Sequence, residues 1–388
     1  MRITIVTRIF APEPSAASQR LGSLASALTE RGDTVTVLTS RPPDRAATAD
    51  DPLTVRRWPV IRDRSGYVRG YVPYLSFDIP AFLRLLFARR PDIVLVEPPP
   101  TTGAVVRVVC WLKSVPYAYY AADIWSLAAP STGAPTMVVR AVQRIEQFAL
   151  RGAAVVLAVS PGVANEVRRL SPDADIAVVG HGVDDRVFHS EVVPMTPEVD
   201  AAYVGTASEW HGARVFTAAL ALLRGRDVRP RVVFIGQGSD WEQLKEDVRE
   251  AGLADQVTFS GPVAGAEAAR RLRGARVALA SARMGIGYDF AVPTKMYSAA
   301  AVGTPTVISG SPELRDLVES EGLGWACSDD PAEVADAIEA ATRAQPARGV
   351  RDRIASWARE NVSARAVAAR VAAALDRAVA DTRGHASR

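Results

Sequence analysis

The sequence predicts an α/β protein made of two doubly wound, Rossmann-like domains that face each other across a cleft. Three observations support this fold class. Short apolar strands alternate with amphipathic helices along the whole chain, which is typical of parallel sheets covered by helices. The alternation restarts near residue 199, after a less regular stretch. The length of 388 residues exceeds one comfortable hydrophobic core and suits two domains.

The first predicted domain covers residues 1–190 and opens with a right-handed βαβ unit. A strand over 2–7 leads through a proline- and serine-rich loop to a helix over 19–31, which Gly32 ends before the next strand over 33–40. A further strand lies near 53–58. Apolar runs then predict strands at 92–96, 117–121, 153–159 and 176–179, and apolar faces predict helices at 77–89, 102–112, 135–151 and 162–170.

The second predicted domain covers residues 199–360, and a helix over 361–381 is expected to pack back toward the first domain. Its strands are predicted at 199–204, 231–235, 256–260, 277–280, 305–308 and 324–327. Its helices are predicted at 215–223, 241–251, 265–273, 295–301, 313–319 and 331–343, and a helical pattern then runs from about 350 to 381. The polar tail from Thr382 is predicted to be disordered.

Composition excludes several function classes. The formal charge of +3 is no nucleic-acid signature. The first 190 residues carry 22 Lys+Arg against 17 Asp+Glu, which suits an anionic acceptor or membrane surface but also fits a general use of arginine. The two cysteines lie far apart, there is no signal peptide, and no apolar run reaches about 18 residues. We expect a cytoplasmic protein, at most peripheral to the inner face of the membrane.

The stretch from Ser281 to Gly303 has the parts of a phosphate cradle. A strand precedes a loop with Gly285 and Gly287, and a helix then begins beside Lys295. Backbone N–H groups and a helix N-terminus attract anions, and a lysine there completes the neutralisation. Lys295 is also one of only three lysines in the chain. The alternative is a loop whose glycines only serve its turn.

Seven short motifs follow one another along the chain. They are Asp123-Ile124-Trp125, Val159-Ser160-Pro161-Gly162, His181-Gly182-Val183-Asp184, Tyr203-Val204-Gly205, Ile235-Gly236-Gln237-Gly238, Pro293-Thr294-Lys295 and Gly303-Thr304-Pro305. In this order they resemble a glycosyltransferase of the GT-B fold, and most closely glycosyltransferase family 4. The resemblance covers nearly the whole chain and points to members with an Asp-x-Trp step.

Two departures from the family pattern concern the donor site. The second of the family's two spaced glutamates, which binds the donor ribose, is replaced by Ser298. The arginine and lysine that usually hold the pyrophosphate are absent from the loop 206–211, where His211 stands in the lysine position. These departures leave the donor open.

The resemblance and the local pattern together predict the site residues. Asp123 and His211 are the predicted catalytic residues, although Asp123 could instead cap a helix from Ser126 and His211 could cap the next helix. The acceptor is expected at Ser15, Ser18, Arg20 and Trp125, with helix capping as the alternative for the serines. The donor is expected at Gly205, Thr206, Gly236, Val263, Arg283, Gly285, Gly287, Lys295 and Ser298.

The resemblance implies a retaining transferase that moves a sugar from a nucleotide-diphosphate sugar without a cofactor or metal. The acceptor is expected in cell-envelope or surface-glycan assembly. A lipid-linked acceptor is one expectation, because the basic, tyrosine-rich segment 56–74 and the apolar-basic helix 77–90 would suit a lipid. A small antibiotic-type acceptor is the alternative. A GT-B protein that binds ligand but has lost transfer is an alternative of another class. No nucleic-acid partner is expected.

Overall fold

The computed structural model describes residues 1–13, 15–43, 53–63, 68, 70–129, 135–286, 289–344 and 348–386. The chain divides into two compact units. One contains Met1–Gly182 together with Ala364–Arg388, and the other contains Val183–Ser363.

The first unit is built on a seven-stranded sheet whose pairings are all parallel. Its strands are β1 (Arg2–Val6), β2 (Thr34–Ser40), β3 (Thr54–Trp58), β4 (Ile93–Val96), β5 (Tyr117–Ala121), β6 (Val155–Ala158) and β7 (Ile176–Val178). They lie in the order β3-β2-β1-β4-β5-β6-β7, so the direction of winding reverses between β1 and β4. Doubly wound sheets bind ligands at that reversal, at the carboxyl ends of the strands.

Helices cover this sheet. They are α1 (Ala16–Glu30), α2 (Tyr71–Phe87), α3 (Pro100–Lys113), α4 (Trp125–Ala128), α5 (Thr136–Arg151) and α6 (Pro161–Leu170). α3 packs between α2 and α5. The predicted helix over 77–89 is longer than expected, because it begins at Tyr71 directly after Gly70. α4 begins at Trp125, one residue before the helix from Ser126 that was considered only as the capping alternative for Asp123.

The second unit holds a six-stranded parallel sheet in the order β10-β9-β8-β11-β12-β13. Its strands are β8 (Val199–Thr206), β9 (Val232–Gln237), β10 (Val257–Ser260), β11 (Ala275–Ser281), β12 (Thr306–Ser309) and β13 (Gly324–Cys327). Its helices are α7 (Arg214–Gly225), α8 (Trp241–Glu250), α9 (Gly265–Arg273), α10 (Thr294–Ala301), α11 (Pro312–Ser320), α12 (Pro331–Arg343) and α13 (Arg348–Asn361).

The final helix, α14 (Ala364–Ala386), belongs to the first unit and packs against α1. Arg31 pairs with Asp376 across that contact at 2.8 Å. The helical pattern from 350 to 381 is therefore two helices, because the chain leaves helical geometry at Ser363, which bridges to Val183. The prediction of disorder from Thr382 is wrong, since α14 continues to Ala386.

Local sequence explains many element boundaries. Ser160 and Ser311 each accept a backbone hydrogen bond as N-caps, and each precedes a proline in the first helical position. α10 ends as predicted, because Gly303 takes a φ of +77° that favours glycine. The fully buried sequence Ile93–Val96 forms β4 in the middle of the first sheet, as expected for a parallel strand covered on both faces.

Candidate functional site

In the second unit, Lys295 lies in the first turn of α10. Its ammonium donates hydrogen bonds to the Tyr203 hydroxyl at 2.8 Å and to the Thr206 carbonyl at 3.2 Å. It also lies 4.6 Å from the centre of the Tyr203 ring. Tyr203 is fixed in turn by stacking on Phe234 at 5.5 Å. The core of the sheet therefore holds the lysine at the carboxyl end of β8.

The charge of Lys295 is poorly compensated. Burial lowers the pKa of its ammonium to about 7. Within the described residues, no carboxylate forms an ion pair with the Lys295 ammonium. Among the described residues no side chain caps the first turn of α10, and the partial positive charge of a helix N-terminus adds to that of the lysine. The arrangement favours an anion beside α10.

Two predicted donor glycines have a structural reason to be glycine, a positive φ at Gly205 and both a positive φ and a close backbone approach at Gly236. Gly205 has a φ of +134°, and a side chain there would meet Lys295 Cε at 3.4 Å. Gly236 has a φ of +141°, and its Cβ would lie 2.1 Å from the Gly205 carbonyl oxygen. Gly236 thus allows β8 and β9 to run side by side at this edge, which is a structural reason for a glycine there.

His211 lies in the loop after β8 and is neutral at pH 7. Burial, followed by the nearby charge of Lys295, lowers the pKa of His211 to about 3. Its Nδ1 accepts from the Ser208 N–H at 3.2 Å, so the neutral ring carries its proton on Nε2. His211 can therefore donate one hydrogen bond but does not supply an imidazolium.

Arg283 follows β11 beside the same loop. Its backbone N–H donates to the Trp210 carbonyl at 3.0 Å, while its side chain is exposed. Arg283 and His211 line a groove of about 560 Å³ that extends along α7. Lys295, Gly205 and Gly236 lie outside the lining of that groove. Among the predicted donor residues, the structure therefore separates Arg283 from Lys295, Gly205 and Gly236, and places it in one groove with His211, a predicted catalytic residue.

The remaining donor predictions have separate placements. Gly285 has a φ of +73°, and its N–H donates to Asp289 at 2.8 Å, which closes the loop on itself. Ser298 lies one turn beyond Lys295 on α10 and is half-buried. Val263 follows β10, two strands away from β8, and packs on apolar residues. Gly287 lies outside the described residues.

In the first unit, a pocket of about 170 Å³ opens at the carboxyl ends of the central strands. Arg20, Asp123 and Trp125 line it, as do three residues that were not predicted: Thr7, Arg8 and Glu97. Glu97 is buried, accepts from the Thr7 hydroxyl at 3.2 Å and forms an ion pair with Arg20. Burial lowers the pKa of Arg20, but the charge of Glu97 and the hydrogen bond to it, together with Tyr120 and Asp123, raise the pKa by more, so it is raised overall.

Glu146 on α5 positions the loop that carries Asp123. Its carboxylate accepts from the backbone N–H groups of Trp125 and Ser126, both at 2.9 Å. Glu146 therefore caps α4, which excludes the alternative that Asp123 caps a helix from Ser126. The Asp123 carboxylate instead accepts from the Ile124 N–H at 2.8 Å and lines the pocket.

The two serines before α1 have structural contacts. Ser15 is the N-cap of α1 and accepts from the Ser18 N–H at 3.0 Å. Ser18 is buried, and the pocket walls include neither serine. These contacts agree with the capping alternative, and no acceptor contact follows from them.

Comparison with known proteins decides the family. A model described as "Glycosyl transferase 4-like domain" matches residues 15–182, and one described as "Glycosyl transferases group 1" matches residues 198–343. Together they span most of the chain. The chain belongs to the family 4 glycosyltransferases. Membership of the Asp-x-Trp subgroup stays a prediction. None of the curated proteins matches this glycosyltransferase in sequence.

Solved structures give the fold of this glycosyltransferase. Sucrose-phosphate synthase from Thermosynechococcus elongatus is 16% identical with a TM-score of 0.75, over 98% of this chain and 99% of that chain. WaaG, a glycosyltransferase involved in lipopolysaccharide biosynthesis, is 13% identical with a TM-score of 0.67, over 96% and 98%. A glycosyltransferase involved in avilamycin A biosynthesis is 17% identical with a TM-score of 0.60, over 98% of each chain. The fold is GT-B.

Sequence reasoning missed several residues of this glycosyltransferase. Arg8 and Glu97 each follow a buried strand, which was an available signal because strand ends converge at one sheet edge. Glu146 gave no such signal. It is one acid in an amphipathic helix, and only the packing of α5 on α4 shows that it is buried.

Proposed function

We propose that this glycosyltransferase moves a sugar from a nucleotide-diphosphate sugar to an acceptor hydroxyl with retention of anomeric configuration. The observation that carries the proposal is Lys295, whose weakly compensated ammonium lies at the uncapped start of α10. A diphosphate supplies the anion that this position favours. As the sugar leaves, negative charge grows on the phosphate oxygen, and fixed positive groups stabilise it.

The other residues take roles around that contact. The His211 Nε2–H donates to a phosphate or to a sugar hydroxyl. The Asp123 carboxylate, on a loop fixed by Glu146, orients the acceptor hydroxyl. We expect the leaving phosphate to accept the hydroxyl proton on the face of the sugar from which it departs. Because Lys295 and α10 already supply positive charge, we expect transfer to continue when divalent metal ions are chelated.

Nucleotide release from a panel of sugar nucleotides tests the proposal. One donor should release its nucleotide faster in the presence of acceptor, and the product's anomeric configuration, read by NMR, should match that of the donor. Binding without any turnover, with added acceptors or with water, would support a protein that has lost transfer. A product with the inverted anomeric configuration would agree with a glycosyltransferase but would overturn the proposed retention of configuration.

We further propose a cytoplasmic enzyme whose acceptor belongs to cell-envelope or surface-glycan assembly and is reached at a membrane surface. Both cysteines are free and buried, which suits a reducing compartment. In the part of the chain that the structure describes, no helix is long and apolar enough to cross a bilayer. Contact with the membrane would therefore be peripheral, through an exposed face of the first unit.

The outward face of α2 is apolar along its whole length. Its exposed residues are spaced to lie on one side of the helix: Val72, Leu75, Ile79 and Leu83, followed by Phe87. The face continues on α3 and α5. Phe87 is 81% exposed, Trp111 77% and Met137 82%, whereas soluble proteins rarely expose large apolar residues in such a group.

The charges around this face suit anionic lipid. The carboxylates on α2, α3 and α5 are Asp78 and Glu146, and both are buried. The same helices and the turn after α2 carry exposed basic residues: Arg84, Arg89, Arg90, Arg140, Arg144 and Arg151. Apolar side chains among basic ones are typical of interfacial membrane contacts. Part of the predicted 56–74 segment, residues 64–67 and 69, lies outside the described residues.

Vesicle sedimentation tests this contact. Wild-type protein should bind phosphatidylglycerol vesicles and bind phosphatidylcholine vesicles weakly, and Arg140→Gln with Arg144→Gln should weaken binding by about fivefold per arginine. Phe87→Ser with Trp111→Ser should also weaken it, while the control Val193→Ser, at an exposed residue of the second unit, should not. Transfer to a soluble acceptor without vesicle binding would instead favour a small natural-product acceptor.

A further inference from the structure

Arg8 is a buried guanidinium at the carboxyl end of β1. Only 7% of the residue is exposed. The group lies 4.2 Å from the centre of the Tyr74 ring and 5.5 Å from that of Trp125. One nitrogen donates to the Val68 carbonyl at 3.3 Å, and the buried Nε has no hydrogen-bond partner in the described part of the chain. Two aromatic rings therefore hold the cation in a fixed place.

The neighbouring Arg20 is neutralised, whereas Arg8 is not. Glu97 forms its ion pair with Arg20 and also accepts from Thr7. Asp78, the other buried acid nearby, accepts from the Thr102 hydroxyl at 2.6 Å. Both acids attract Arg8 only from a distance, and burial lowers the pKa of Arg8. Within the described ranges no carboxylate pairs with it, and a buried charge without a partner is costly.

Arg8 lines the 170 Å³ pocket together with Asp123. This volume equals that of roughly five water molecules, enough for a small oxyanion. A guanidinium presents planar donors that match two oxygens of a phosphate or carboxylate. We propose that this pocket binds an oxyanion, a phosphate or carboxylate borne by the acceptor, with Arg8 as its main ligand.

The assignment of the oxyanion to the acceptor rests on the proposed function, but the binding site does not. Asp123 offers a further test of the proposal. It lines the same pocket, and its negative charge repels a bound anion. Asp123→Asn should therefore strengthen oxyanion binding while it weakens transfer. A residue that only stacks on Tyr74 and Trp125 would affect stability and leave anion affinity alone.

Calorimetry with inorganic phosphate and with acetate, at constant ionic strength, tests the site. Every variant carries Lys295→Ala to remove phosphate binding beside α10. Arg8→Gln should weaken binding of the preferred anion by roughly 10- to 150-fold, the range for a lost charge-assisted hydrogen bond. Arg8→Lys should retain part of the affinity, and the control Arg169→Gln, on an exposed arginine of α6, should retain all of it.

Phosphate binding without acetate binding would identify a phosphate site, and the reverse a carboxylate site. Binding of neither anion, or an anion affinity that Arg8→Gln leaves unchanged whatever its thermal stability, would overturn the proposal. Nucleotide release is measured separately on proteins that keep Lys295. If the protein transfers sugar but binds no oxyanion at Arg8, only this inference is wrong. If it binds the oxyanion but does not transfer sugar, only the proposed function is wrong.

Discussion

The protonation of Lys295 links the stability of the protein to the binding of an anionic ligand. Tyr203 and Thr206 orient its ammonium, and burial weakens its hold on the proton. Lysine has an ordinary pKa near 10.4, so the folded protein binds fewer protons than the unfolded chain between about pH 7 and 10. The lysine therefore makes the empty protein less stable below pH 7 than above pH 10. An anionic ligand removes this disadvantage.

The affinity for the sugar nucleotide should depend on pH through Lys295. A bound diphosphate stabilises the ammonium and raises its pKa from about 7, so affinity should fall as the pH rises through 7. Binding at pH 8 should take up a proton, which calorimetry in buffers of different ionisation enthalpy measures. In Lys295→Arg the charge is permanent and the dependence should be flat. A wild-type affinity that is constant from pH 6 to 9 would contradict this account.

Ser298 should determine how the ribose is recognised. It lies one turn beyond Lys295, and a serine is too short to reach both ribose hydroxyls as a glutamate does. Ser298→Glu should change the ratio of affinities for a ribonucleotide and its 2′-deoxy form, either by new hydrogen bonds or by a clash. Ser298→Ala is the matched control and should change it little. The same ratio in all three proteins would show that α10 does not contact the ribose.

Asp123→Asn should reduce turnover more than nucleotide affinity. The amide has nearly the shape of the carboxylate, and Asp123 belongs to the unit that lacks Lys295. Stability should hardly change, because the cap of α4 is supplied by Glu146. Steady-state kinetics and nucleotide calorimetry separate the two effects. An equal loss of nucleotide affinity would mean that the roles of the two units are assigned wrongly.

The short helix α4 depends on α5 for its position. Glu146 is buried, and burial raises the pKa of its carboxyl although two backbone N–H groups bind it. Glu146→Ala would leave those N–H groups unsatisfied, at a cost of roughly 2–5 kcal/mol in unfolding free energy. Urea unfolding measures this cost, and turnover should fall with it because Asp123 loses its fixed loop. Gln143→Ala, on the exposed side of α5, is the control. Full stability in Glu146→Ala would show that water replaces the cap.

Most elements could be predicted because their signals are local. Buried apolar runs predicted the strands, and proline or glycine at the ends predicted boundaries such as the end of α10 at Gly303. The helical pattern from 350 to 381 does not itself show the break between α13 and α14, which lies where Ser363 bridges to Val183, 180 residues earlier in the chain. Helical periodicity gives no information about such a contact.

The site shows the same limit. Lys295, Asp123 and Arg20 could be proposed as site residues because a lysine at a helix start, or a polar residue just after a strand or in a strand-to-helix loop, is visible in one sequence. Arg8 was not predicted, since its burial depends on Tyr74 and Trp125 from other elements. The capping roles of Ser15 and Glu146 could be assigned only from the three-dimensional structure. The same side chain could cap a helix or bind a ligand, and the sequence does not distinguish the two roles.

The family and the GT-B fold do not by themselves identify the substrate. Solved structures with this fold include a sucrose-phosphate synthase and a glycosyltransferase of avilamycin A biosynthesis, at 16% and 17% identity. We expect the substrate to be selected by side chains at the strand ends of each unit, and by the face formed by α2, α3 and α5. The central claim is that a sugar nucleotide binds beside α10 and that Lys295 holds its diphosphate.

Calorimetry with a panel of sugar nucleotides, on wild type, Lys295→Ala and Lys245→Ala, tests that claim most directly. Lys245 is an exposed lysine of α8 that pairs with Glu242, so it controls for the loss of any positive charge. We predict that one sugar nucleotide binds wild type and Lys245→Ala equally, and binds Lys295→Ala roughly 10- to 150-fold more weakly. Equal affinity in all three proteins, or no binding to any of them, would contradict the account.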